Sequence, residues 1–461
     1  MTELTILGGG PAGLGVAFYA HKAGHDFTLY EKSGELGGMC RTFSHGEHRY
    51  DAGAHRFHDR DAEITRDLHE LMGAELRRVR APSKLWNRGR LVDFPPTPLN
   101  AALSFGVRDA GRIGLEVLRA RWHARPCVTF GDFARRQFGE TLAQRLLIDY
   151  SEKLWGLPAD QLSPDIATRR LQGMTLHSLF LELVLPGRKT AHIDGEFLYP
   201  RRGYGQIAER LAARLPPGSL STGHEVVQLE IRGRAITRVH FKDGRTAKAG
   251  TRVVSTLPLT VLVKLVADAT PRATRDAAAR LRFRRLRLVF LRLKRPRVSE
   301  NATIYIPGSE FKISRIYEPK IRSALMAPEN ETSLVAEIPC FANDDLDAMP
   351  NDALAGRVVD ELELIGLIDR RDVMEWRHHL LPFAYPVYSI GYAREVATIT
   401  EGLASLENLD TIGRAGSFFY SHLHDQLRMS KDYVNALGET RAAPCSGSYE
   451  TKVAALNLAS R

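Results

Sequence analysis

The sharpest chemical signal in this chain is a run of glycines, Gly8-Gly9-Gly10-Pro11-Ala12-Gly13. Glycine at Gly8 permits a tight turn, at Gly10 it lets backbone approach a pyrophosphate, and at Gly13 it lets a helix pack closely on a strand. Phosphates at such a loop rest on the helix N-terminus, where unpaired N–H groups and the helix dipole favour an anion. Glu31, with Lys32 next to it, stands at the spacing of an acid that accepts hydrogen bonds from ribose hydroxyls. The chemistry indicated is dinucleotide binding, and the fingerprint alone fits NAD or FAD.

The elements needed to position these residues are legible around them. Leu4-Thr5-Ile6-Leu7 reads as a short buried strand, Leu14, Val16, Ala17 and Ala20 as the apolar face of a helix, and Asp26 to Tyr30 as a second strand. Strand, turn, helix, strand and acid in that order predict an α/β, Rossmann-like domain at the start of the chain.

The segment just after Glu31 separates the two cofactors. Leu36-Gly37-Gly38-Met39-Cys40-Arg41-Thr42 resembles the glycine doublet plus arginine of flavoproteins in the amine oxidase and protoporphyrinogen oxidase group. There the backbone passes close to the FAD pyrophosphate. The resemblance implies FAD, with Gly37, Gly38 and Arg41 beside it.

His45, His48, His55 and His58 raise the question of a metal, but the segment lacks an HExxH helix or a carboxylate at ligand spacing, so no metal is expected. Gly53-x-His55-x-Phe57-His58 instead resembles a segment of the UDP-galactopyranose mutases that passes beside the isoalloxazine ring. Asp51-x-Gly53 with His55-Arg56-Phe57 after it is also found in their protoporphyrinogen-oxidase-like relatives. The resemblance implies a flavin-side loop with His55 in contact with cofactor and substrate.

Further segments resemble the mutases in the same order. Tyr150 to Gly156 with Arg169-Arg170 implies a substrate cleft lined by a tyrosine, Lys153-x-Trp155 and arginine; the residues alone also fit a core tryptophan and solvated helix charges. Val226-Val227 implies a backbone contact near adenine, with Val227 in the cofactor set. Arg315, in Ile313 to Pro319, implies a clamp for a sugar nucleotide's diphosphate, preceding Glu337-Ile338-Pro339 and partnered by Tyr385. A guanidinium suits that task because it stays charged and presents a planar fork to phosphate oxygens. Gly413-Arg414 through Tyr420, then Asp425-Gln426, implies a pyrophosphate contact and a helix whose N-terminus faces the flavin.

The chain has 461 residues, 44% hydrophobic and 26% charged, which indicates a soluble globular protein of two domains. The expected division is a Rossmann-like FAD-binding domain, 1–85 with 216–275 and 400–440. A discontinuous substrate domain of helices and an antiparallel sheet takes 86–215 with 276–399, and 441–461 forms a loose tail. No apolar run reaches the ~18 residues of a membrane span. The first strand starts close to Met1, and a cytoplasmic location is expected. Four scattered cysteines, Cys40, Cys127, Cys340 and Cys445, suggest neither zinc nor disulfides.

The net charge of +10 is spread without a basic tail, so no nucleic acid partner is expected. Arg282 to Arg297 is the most basic stretch. It reads as a strand with a solvated edge, peripheral membrane contact being the alternative. The whole pattern implies a flavoenzyme of the mutase-like branch, acting on a nucleotide sugar or other phosphorylated small molecule through reduced-flavin chemistry. The alternatives are an oxidoreductase removing a hydride for an electron acceptor and, from another class, a non-catalytic FAD-binding scaffold; the oligomeric state is left open.

Overall fold

The structure is a computed structural model that describes residues 2–87, 89–94, 112–113, 115–116, 127–170 and 196–438. The expected substrate-domain segment 86–215 therefore lies partly outside the described residues, and the expected 441–461 tail lies wholly outside them.

A five-stranded parallel sheet carries the glycine loop. The strand Glu3–Leu7 is central, with Asp26–Tyr30 and then Leu220–Ser221 on one side and Arg252–Ser255 and then Leu409–Thr411 on the other. Leu4 and Ile6 cluster with Leu14, Val16 and Ala17 of the following helix, and Leu7 clusters with Leu229, Val239 and Phe241 of a three-stranded antiparallel sheet, so the strand is buried on both faces and reads as continuously apolar rather than alternating. The helix Pro11–Lys22 follows the loop directly, with Pro11 in the first turn, where its missing N–H costs no helical bond. The helix Leu423–Gly438 packs on it: Ser430 Oγ donates to Ala12 O at 3.0 Å, and Gly15 leaves room for Ser430.

The second large layer is a seven-stranded sheet in the order Val373–Pro386, Phe283–Leu293, Thr332–Cys340, Arg315–Tyr317, Thr303–Tyr305, Ser83–Asn87 and Arg90–Phe94. Alternation assigns its two faces different work. Val289, Leu291, Ile304, Ile316, Ala336 and Ile338 pack against the helix Asn351–Leu364. Leu288, Phe290, Tyr317 and Val335 point the other way, into a core shared with Tyr50 and Trp155. On that face, pairing aligns His379, Leu288, Glu337, Arg315, Tyr305 and Leu85 in one row across the strands. Two charged residues thus sit in the middle of a buried sheet face.

The basic stretch is a strand, as expected, but it has no solvated edge: Phe283–Leu293 is paired along its length on both sides. Its arginines are individually partnered. Arg284 donates to Leu154 O and Lys153 O, Arg287 to His378, Met349 O and Asn351, and Arg292 to Glu331. Alternation alone predicts an exposed polar side, whereas here long side chains reach acceptors on covering elements.

Candidate active site

The glycine loop is built as its sequence requires. Gly8 has φ of +104°, a left-handed conformation that L side chains rarely adopt, and a Cβ at Gly13 would lie 2.0 Å from Gly8 O. A Cβ at Gly10 would meet nothing within 4 Å, so the loop is open there. Gly10 is also the N-cap of the helix Pro11–Lys22 and supplies no side-chain cap, which leaves the first-turn amides available. The glycine doublet closes over this opening: Gly37 N donates to Gly9 O at 2.8 Å, and a Cβ at Gly38 would stand 3.1 Å from Gly10 Cα.

Glu31 holds the loop in shape. Its Oε2 accepts from Gly9 N at 2.7 Å, and its Oε1 accepts from Ser33 N and Oγ at 2.9 and 3.0 Å. Lys32 is exposed. Arg41 donates through Nε to Gly38 O at 3.1 Å and lies over the Phe43 ring. Val227 is 47% exposed on a separate three-stranded antiparallel sheet of Val226–Arg232, Ala235–Phe241 and Thr246–Lys248.

His55 lies beneath the doublet, its Nε2 2.7 Å from Met39 O and its ring stacked on Tyr204 at 5.0 Å. Burial, and then the charges of Arg315, Arg414 and Arg322, push the imidazole down to about 3. It is therefore neutral at physiological pH and donates from Nε2 to the carbonyl.

Glu337, fully buried, connects this loop to the sheet. Its Oε1 accepts from Ala54 N at 2.9 Å and its Oε2 from Arg315 Nε at 2.6 Å. Arg315 Nη2 donates to Tyr385 Oη at 3.3 Å, while Nη1 has no partner among the described residues. Burial opposes the guanidinium's charge, and the Glu337 carboxylate reverses that effect, so Arg315 is held protonated.

Arg414 and Tyr420 complete the group. The Arg414 guanidinium lies 5.1 Å from the Tyr385 ring and 4.5 Å from the Tyr420 ring, with Nη2 donating to Ala384 O at 2.8 Å and a buried Nε that has no acceptor among the described residues. Gly413 has φ of +86°, and a Cβ there would come 2.6 Å from Ala12 Cβ beside the glycine loop. Asp425 Oδ2 accepts from His422 N at 2.7 Å, fixing the turn into the helix Leu423–Gly438, and Gln426 is buried one residue further on.

The fold thus brings His55, Arg315, Tyr385, Arg414 and Tyr420 together and sets the glycine loop, the doublet and Gly413 against one another. Lys153 is not a free cleft residue, because its Nζ donates to Ile306 O at 2.7 Å, Gly308 O and Ile313 O at 3.1 Å. Trp155 is a core residue stacked on Tyr388. Arg169 and Arg170 lie in the helix Asp165–Arg170, but their side chains are outside the described residues. Glu337 and Arg56 stand within the sequence motifs without a role that the motifs assign. The signals were a charged residue inside an otherwise strand-like apolar segment for Glu337, and an arginine beside His55 for Arg56.

A profile of flavin-containing amine oxidoreductases matches residues 11–397, most of the chain. The chain belongs to that family. It binds FAD and is a flavin-dependent enzyme. The coproporphyrinogen III oxidase of Mycobacterium leprae is 30% identical over 156 residues, which cover 31% of this chain and 35% of that protein. The match therefore spans about a third of that curated relative's length. Among solved structures, a reduced UDP-galactopyranose mutase superposes with a TM-score of 0.82 at 20% identity, covering 96% of this chain and 97% of that one. A protoporphyrinogen oxidase from Exiguobacterium gives 0.73 at 20% identity, covering 95% and 98%. At these identities the superpositions establish the fold.

The residues fit the flavin-family cofactor on local grounds. An open glycine turn, uncapped helix amides, no Cβ at Gly37, Gly38 or Gly413, and the unmatched Nε of Arg414 suit a pyrophosphate. Among the described residues, no helix is long and apolar enough to cross a membrane.

Proposed function

We propose that this family member acts on a nucleotide sugar or another small molecule with a phosphate or diphosphate handle, in the manner of the mutase-like branch. The observation that carries the reading is Arg315: a guanidinium in the interior, fixed on one side by Glu337 and Tyr385, with Nη1 unpartnered among the described residues. Burying a charge with a free donor edge is costly unless an oxyanion completes it, and guanidinium matches phosphate oxygens well. Gly8, Gly10, Gly13, Gly37, Gly38, Gly413 and Arg414 would hold the cofactor's pyrophosphate and Glu31 its ribose. Bound FAD supplies the electrons and the reactive centre, and the chain supplies binding and orientation. His55, neutral and tied to Met39 O, would set the loop beside the ring, while Tyr385 and Tyr420, with rings 6.2 Å apart, would flank the reacting end of the substrate.

A second reading, oxidation of a polycarboxylate such as a porphyrinogen, is favoured by the partial match to coproporphyrinogen III oxidase. A buried arginine accepts a carboxylate as readily as a phosphate. Anaerobic titration of the purified flavoprotein with UDP, oxidised and dithionite-reduced, separates the two. A saturable change in the flavin spectrum that Arg315→Ala abolishes is the expected result. No response in either state discards the nucleotide-sugar reading.

A further inference from the structure

Arg56 is next to His55 in the flavin-side loop but points to different partners. Its Nη2 donates to Ser83 Oγ at 2.7 Å and Thr303 Oγ1 at 2.9 Å, and its guanidinium lies 4.9 Å from the Phe197 ring. Ser83 and Thr303 pair across neighbouring strands, and alternation puts Thr303 on the same sheet face as Tyr305, Arg315 and Glu337. Arg56 is thus held on the face that carries the candidate site. Among the described residues its Nε and Nη1 have no acceptor and no carboxylate pairs with it.

Behind it stands a second arginine in a similar state. Arg322 is 3% exposed, its Nη2 donates to the same Thr303 Oγ1 at 3.2 Å, and its Nε and Nη1 have no partner among the described residues. Its guanidinium is 4.5 Å from the Tyr317 ring. Two interior guanidiniums therefore share one neutral hydroxyl. The carboxylates nearby are already engaged: Glu337 by Arg315 and Ala54 N, and Asp51 by Thr42, Tyr199 and Tyr204 N. Burial, with Arg322 and Arg315 adding repulsion, pushes the Arg56 guanidinium down to about 10.

We infer that Arg56, backed by Arg322, is a second oxyanion subsite, which takes an acidic group of the substrate other than the one facing Arg315. Interior like charges persist when an anion completes them, and Arg56 keeps a free donor edge for it. The substrate class is then a molecule bearing at least two oxyanionic groups or an extended diphosphate. This inference rests on the anionic-substrate reading but not on the nucleotide, because carboxylate and phosphate share the required geometry.

The test uses the FAD-loaded enzyme, followed by flavin absorbance and calorimetry, with millimolar inorganic pyrophosphate, UDP and the tetracarboxylate coproporphyrin III as separate probes. Arg56→Gln is expected to weaken the binding probe at least tenfold. Thr303→Val, which keeps both charges and removes the hydroxyl that aims them, should weaken it severalfold and serves if Arg56→Gln fails to fold. Binding of the porphyrin but not UDP, lost in these variants, keeps the subsite and discards the nucleotide-sugar reading. Affinities within twofold of wild type in folded, FAD-loaded variants overturn the subsite, as does a wild-type enzyme that responds to none of the three probes.

Discussion

Glu337 and Arg315 face each other across adjacent strands, 2.6 Å apart, and the other oxygen of Glu337 holds Ala54 N at 2.9 Å. One carboxylate therefore sets the spacing between the Arg315 guanidinium and the loop that carries His55. Glu337→Gln keeps the shape and an acceptor for Ala54 but leaves Arg315 without its counter-charge. Removing one partner of a buried pair costs about 3–5 kcal/mol; with the Arg315 side chain 20% exposed, the low end is expected. Guanidinium chloride unfolding measures this directly, and a midpoint equal to wild type would show that Arg315 is solvated rather than held.

Gly10→Ala separates cofactor binding from folding. An added methyl at Gly10 touches nothing within 4 Å, and the backbone there is extended at φ of −76°, so the apoprotein should unfold at the wild-type midpoint. If Gly10 is where the pyrophosphate approaches, the same methyl occupies its place, and FAD per polypeptide after dialysis should fall severalfold. Full FAD retention would move the pyrophosphate away from Gly10. Gly13→Ala is a poor substitute, because its methyl strikes Gly8 O and disturbs the fold itself.

The cofactor half was legible because its demands are local. Gly8, Gly13 and Gly37 are fixed by turn and packing geometry within a few residues, so their spacing carries the information. The substrate half depends on register between distant strands. That Glu337 stands between Arg315 and Leu288 comes from pairings the sequence does not encode locally. Lys153 shows the same limit, since it resembled a cleft lysine and became a staple because a loop more than 150 residues away offered three carbonyls. The basic strand was misread at its edge for a similar reason: alternation reports polarity, and long arginines satisfy it by reaching acceptors on other elements.

Acid should destabilise the apoprotein through His55 and His422. Burial is the main cause in both, and it lowers each from an ordinary 6.5 to about 3. Above pH 6.5 both folded and unfolded imidazoles are neutral, so neither contributes a slope. As pH falls below 6.5 the unfolded chain takes up protons that the folded chain refuses, and stability is lost down to about pH 3. Each group contributes up to about 1.4 kcal/mol per pH unit in that window. Unfolding free energies of wild type and His55→Gln between pH 7 and 4 measure the slope. The variant should lose less stability on acidification, and parallel curves would mean that His55 titrates normally.

Lys153→Met tests whether this lysine is a staple or a substrate ligand. Its ammonium satisfies the carbonyls of Ile306, Gly308 and Ile313 and so fixes the helix Asp149–Trp155 to the loop beside the Thr303–Tyr305 strand. Burial pushes the amine down to about 8, so it remains mostly charged at neutral pH and donates in all three directions. Methionine fills the volume and leaves the carbonyls without a donor, at a cost of about 1–3 kcal/mol for each buried acceptor left unpaired. A fall of a few kcal/mol in stability, with probe affinity within twofold of wild type, is the outcome expected of a staple. Unchanged stability with lost affinity would return Lys153 to the substrate cleft.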